Sequence, residues 1–181
     1  MRGSDRSEEF IGFVRAHRDD LVRTAVLLCA GDEAFAEDVV QTTLTRMYLK
    51  WNRVRRADHR LAYARASLTN AFFDECRRAH RRRELPSADP VMVRESVRES
   101  GLALGDRHHD TELRSVVLSA LDALGPRQRA VVVLRHWHDL DVAETARILG
   151  CSAGTVKSQN ARALAHLRTV LGPLLYAEEA R

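Results

Sequence analysis

The chain is poor in the residues that small disulfide-stapled or metal-bound scaffolds depend on: its 181 residues include three cysteines and four prolines, and aromatics make up only 6%. Cys29, Cys76 and Cys151 are far apart, odd in number and free of CxxC or CxxxH spacing. That excludes a disulfide framework and a structural zinc, and predicts small buried apolar side chains. No run of eighteen apolar residues occurs, so no membrane span is expected. The basic start, Met1 to Arg6, leads into an amphipathic stretch rather than a signal h-region, which predicts a cytoplasmic protein. Long period-two alternation is missing, so no strands are assigned. GxSxG, Walker and HExxH motifs are missing as well, and neither an enzyme nor a cofactor is expected. His108-His109-Asp110 and His136-Trp137-His138-Asp139 do not qualify as metal ligands. Adjacent histidines on a linker lack a partner cluster, and two histidines two residues apart near a helix end diverge.

What the chain does have is helical periodicity and unevenly placed charge. Apolar residues make up 45%, which fits one large or two small globular domains at this length. The net charge is only +4, yet Arg46 to Arg83 holds twelve basic residues against three acidic ones, while 84–110 holds three against six. This asymmetry suggests a polyanion-binding block beside an acidic linker, although a solvated charged helix face would look the same. Phe10, Phe13, Val14, His17, Leu21, Ala25 and Leu28 recur at three and four, predicting a helix that stops near Gly31. Asp32 can cap a second helix whose apolar stripe is Phe35, Val39, Leu44, Met47, Tyr48 and Trp51. On another face lie Asp38, Gln41, Thr42, Thr45 and Arg46. A third helix, from about Arg60 to Arg82, ends in an arginine-rich run. Of the Phe72-Phe73 pair, one ring belongs in the core and the other can border a nucleic-acid surface; Trp51 and Trp137 read as packing residues.

Periodicity fails from Glu84 to Asp110, where Pro86, Pro90, Gly101 and Gly105 mark a flexible linker about which two domains would move. Helices resume at Thr111. Pro126 suits the first turn of one that runs to about Trp137. Asp141 and Glu144 then have capping-box spacing, Gly150 suits a left-handed C-cap, and Ser152 can cap a longer helix ending at Gly172-Pro173. Ala146, Gly150 and Val156 have the spacing of a helix-turn-helix. The second helix carries no acid between Ser152 and Leu171, but presents Lys157, Ser158, Gln159, Asn160 and Arg162. Such side chains donate to phosphates and base edges.

Asp141 to Arg168, DVAETARILGCSAGTVKSQNARALAHLR, resembles the promoter-reading region four of the sigma-70 superfamily, and Leu121 to Leu140 resembles the segment before it. Gly31 to Trp51, GDEAFAEDVVQTTLTRMYLKW, resembles region two, with Asp38, Val39, Val40 and Gln41 on its acidic, branched, branched, glutamine pattern. Tyr63 to Arg83 resembles the part of region two that melts and reads the minus-10 element. With no other sigma region in the chain, the resemblance is to the small group-four, or extracytoplasmic-function, sigma factors, including the actinobacterial SigE-like ones.

The resemblance implies an all-α protein of two small helical domains: region two over 8–83, a linker over 84–110 and region four over 111–175. It implies that Asp38, Gln41, Thr42, Thr45 and Arg46 dock on the β′ clamp helices of core RNA polymerase. Asn70, Arg77, Arg78, Arg81, Arg82 and Arg83 would meet minus-10 DNA, and Ser152, Thr155, Lys157, Ser158, Gln159, Asn160 and Arg162 minus-35 DNA. The polymerase β flap and an anti-sigma factor are further implied partners. Two positions depart from the family's habit, which often has arginine where Gln159 stands and an apolar residue where Asn160 stands. A rival of another class is a free-standing helix-turn-helix regulator, which would bind palindromic DNA without polymerase and be indifferent to Asp38 and Gln41.

Overall fold

The structure, a computed structural model, describes residues 2–57, 59–84 and 108–179, and these form helices and no strand. The first helix, α1 (Arg2–Leu28), ends where Ala30 and Gly31 take positive φ values of 53° and 91°. Gly31 N–H donates back to Val26 O at 2.9 Å, closing the turn. The Asp32 carboxylate then accepts from Phe35 N–H at 2.9 Å and starts α2 (Glu33–Leu49). A single turn, α3 (Trp51–Val54), that the periodicity did not anticipate leads towards α4 (Arg60–Glu84). Helices α1, α2 and α4 bury Leu21, Val39, Met47, Leu68 and Phe72 between them. Trp51 is fully buried, with the Phe10 and Phe13 rings at 5.2 and 5.4 Å.

The second half contains α5 (His108–Asp122), α6 (Pro126–Val132) with Pro126 in its first turn, and a π-helical turn over Val133–Trp137. The helix-turn-helix follows as α7 (Val142–Leu149) and α8 (Ala153–Glu179). Both bonds of the Asp141–Glu144 capping box form, and Gly150 adopts φ 60° at the turn. Val131, Ala146 and Val156 close one small core; Leu121, Leu124, Val132 and Ala163 close another. Helix α8 does not end at Gly172-Pro173 as expected but runs on to Glu179. Proline removes one ladder bond, to the carbonyl of Thr169, and Thr169 is exposed, so water can satisfy that oxygen.

The two halves pack against each other, where the sequence predicted bodies moving about a flexible linker; 85–107 of that linker lie outside the described residues. Ala130 and Val133 are buried in the same core as α1, α2 and α4, and Leu118 and Leu149 pack on it. The Arg129 guanidinium is buried and donates to Leu28 O at 3.0 Å, Leu124 O at 3.1 Å and Asp122 O at 3.2 Å. It therefore neutralises the carbonyl ends of α1 and α5 together. Arg114 reaches Glu33 at 3.2 Å, and His138 Nε2–H donates to the buried Thr24 hydroxyl at 2.9 Å. That hydroxyl itself donates to Asp20 O at 2.7 Å.

Candidate nucleic-acid interface

The polar face of α2 stays outside this packing. Asp38, Gln41 and Thr45 are exposed, while Thr42 and Arg46 are half-buried. Arg46 donates to Asp74 Oδ2 at 2.8 Å, tying that face to α4. Burial would raise the Asp74 carboxyl, but hydrogen bonds from Arg46 and Arg77 outweigh it and hold the group below its ordinary range. Along α4, Asn70, Arg77, Arg78 and Arg81 are exposed. Arg77 pairs with Asp74 and Arg78 with Glu75, one turn apart on the helix. These arginines are held in place and partly neutralised, so the basic block is weaker in field than its count of arginines suggests. The side chains of Arg82 and Arg83 lie outside those described.

On α8 the predicted readers divide into two kinds. Ser152 Oγ accepts from Thr155 N–H at 3.1 Å and meets Thr155 Oγ1 at 2.9 Å, while Ser158 Oγ donates to Thr155 O at 3.0 Å. These three hydroxyls build and fix the helix start. Lys157 and Arg162 are exposed, and Gln159 and Asn160 are half-buried.

A cleft of about 690 Å³ separates α4 from the helix-turn-helix, and it brings predicted readers of both kinds together: Asn70 and Arg77 on one wall, Thr155 and Gln159 on the other. Phe73, Cys76 and Cys151 line it too, so the less buried ring of the Phe72-Phe73 pair does border this surface. Only Cys29 of the three cysteines is buried, and burial pushes its thiol well up. Arg127 and Gln128 also line the cleft, and sequence reasoning missed both because a helix start carries no sign of what packs opposite it. Trp137, expected to pack, is 52% exposed. The π turn that carries it points its ring away from the core. Among the residues described, no group of three His, Cys, Asp or Glu side chains could hold a metal ion, and no helix is long and apolar enough to cross a membrane.

Residues 13–82 match the family described as sigma-70 region 2, and residues 114–167 match sigma-70 region 4. The chain belongs to the sigma-70 family. Among the relatives of this sigma factor is the RNA polymerase sigma-E factor of Streptomyces avermitilis, 41% identical over 165 residues, covering 90% of this chain and 85% of the relative. The ECF RNA polymerase sigma factor SigM of Mycobacterium tuberculosis is 32% identical over 160 residues, covering 88% and 76%. Among solved structures, the sigma factor RpoE of Bartonella quintana, crystallised with the anti-sigma factor NepR, superposes with a TM-score of 0.71 at 27% identity, covering 91% of this chain and 98% of that one. The region 2 match takes in the α2 polar face and the exposed part of α4, and the region 4 match takes in the α8 readers. The cleft therefore lies between the two sigma regions.

Proposed function

We propose that this sigma factor docks on core RNA polymerase through Asp38, Gln41, Thr42, Thr45 and Arg46, placing those side chains on the β′ clamp helices, with region 4 against the β flap. Asn70 reads minus-10 bases. Arg77, Arg78, Arg81, Arg82 and Arg83 hold the backbone beside it, and Lys157, Gln159, Asn160 and Arg162 enter the major groove of the minus-35 element. Ser152, Thr155 and Ser158 act there by fixing the start of α8. No catalytic step belongs to the chain itself; the chemistry is the polymerase's, and the sigma factor works at the nucleoid.

The observation that carries this reading is the contrast between an exposed α2 face and a cleft shared by Asn70 and Gln159. Elements named for positions minus 10 and minus 35 are about 25 base pairs apart, roughly 85 Å along a duplex that rises about 3.4 Å per pair. A cleft of about 690 Å³ cannot hold both. Promoter binding therefore requires the two regions to separate, whereas polymerase docking does not. The chain between Glu84 and His108 can extend to about 80 Å, so its length permits that separation. The closed arrangement is also one that an anti-sigma factor could stabilise, by analogy with the Bartonella complex.

Run-off transcription on fragmented genomic DNA tests the reading, using core polymerase alone, with this protein, and with its Asp38→Ala, Gln41→Ala variant. Transcripts that require the wild-type protein and are lost with a folded variant are the expected result. Binding to palindromic DNA without polymerase, and no transcripts, would replace it with the free-standing regulator.

A further inference from the structure

His136 belongs to none of the surfaces described so far. It sits on the π turn, exposed, and its side chain crosses to α8, where Nε2 lies 3.0 Å from Asn160 Oδ1. The π turn is what gives it this reach. His138 N–H bonds Val133 O at 3.2 Å, five residues back, and the wider turn lets His136 and His138 diverge, one to Asn160 and the other to Thr24. An amide oxygen accepts only, so the bond runs from His136 Nε2–H to Asn160 Oδ1.

The geometry points to His136 as the residue that sets which base Asn160 selects. A free asparagine amide reads adenine with both ends: its oxygen accepts from the exocyclic amine and its nitrogen donates to N7. With the oxygen held by His136, the end left to face a base is the NH2 group, which has donors only. Guanine presents two acceptors side by side, O6 and N7, and suits that group. Adenine presents its own amine there, donor against donor, and is disfavoured. His136 is thus a positioning residue that turns an adenine-reading side chain into a guanine-reading one. This inference rests on the proposed placing of Asn160 in the major groove.

A promoter library randomised through the minus-35 element, transcribed by core polymerase with the full-length sigma factor and sequenced from its transcripts, tests it. The wild-type protein should prefer guanine at one base pair, and Asn160→Ala should flatten that position alone. His136→Ala should shift the same position towards adenine by about tenfold relative to guanine. His136→Gln, whose amide N–H can occupy the place of Nε2–H, should restore guanine. A His136→Ala profile matching wild type while Asn160→Ala flattens its position overturns the role of His136 and leaves Asn160 a reader. The same holds if His136→Ala lowers every promoter equally. If Asn160→Ala changes no position, the placing of Asn160 itself fails, and the inference with it.

Discussion

Two buried polar side chains decide how region 4 sits on region 2. Arg129 keeps its charge in a largely apolar setting because carbonyl groups at the ends of α1 and α5 receive its protons. Lysine cannot replace it, since one ammonium cannot serve three separated oxygens in a plane. His138 is the pH-dependent member of the contact. Burial pushes it down from 6.5 to about 4, the nearby Arg65 adds to this, and Asp20 opposes it. Arg65 is itself engaged with Asp20, at 3.2 Å, which fixes both charges beside the ring. An opened chain takes up the proton near pH 6.5, and the closed one only near pH 4, so between these values the open form binds more protons. Closure is therefore strongest above pH 6.5 and weakens as the pH falls towards 4. Small-angle scattering should show the radius of gyration growing over that window, and a His138→Gln variant should flatten the growth.

At the scale of the element, the helix-turn-helix is governed by local rules. Gly150 at φ 60° is a conformation in which a side chain costs about 1–2 kcal/mol, and a Cβ placed there would meet nothing within 4 Å. Gly150→Ala should therefore lower stability by about that backbone cost and no more, measured as a shift in the urea midpoint without a change in slope. Such local chemistry is why α7 and its turn were legible: Asp141, Glu144, Gly150 and Ser152 act within four residues of themselves. The ends of α1 and α2 were legible for the same reason. The single turn α3, the exposed Trp137 and the run of α8 through Pro173 were not, because each depends on what packs, or fails to pack, from elsewhere in the chain. The division among the α8 residues was hidden too. Ser152, Thr155 and Ser158 have the same hydrogen-bonding capacity as base readers, and only the folded helix start shows that their groups are already engaged.

For the whole molecule, closure is a population that single contacts can shift. Leu118 packs its side chain on the region 2 core and lies 3.0 Å from where a Cβ on Gly31 would stand. Leu118→Asp should remove about 2 kcal/mol of that packing. The open fraction then rises about thirtyfold while it is small, and apparent affinity for a short minus-35 duplex rises with it. Fluorescence anisotropy with the free protein measures this; unchanged affinity in a folded variant would mean that closure does not limit DNA access. The packing of the two regions was beyond sequence reasoning. Leu118, Ala130, Val133 and Leu149 repeat like any helical core positions, and nothing in their spacing says that part of their contact is with residues a hundred positions earlier.

The π turn also acts as an angular gauge. Removing one residue from Val133–Trp137 would return the helix to ordinary winding, shorten it by about 1.5 Å and rotate everything beyond it by about 100°. Val133 and Leu134 would keep their buried side, but α7 and α8 would swing with the rotation, taking His138 away from Thr24 and carrying Gln159 out of the cleft. One surplus residue thus sets the phase between the part of region 4 that rests on region 2 and the part that faces DNA.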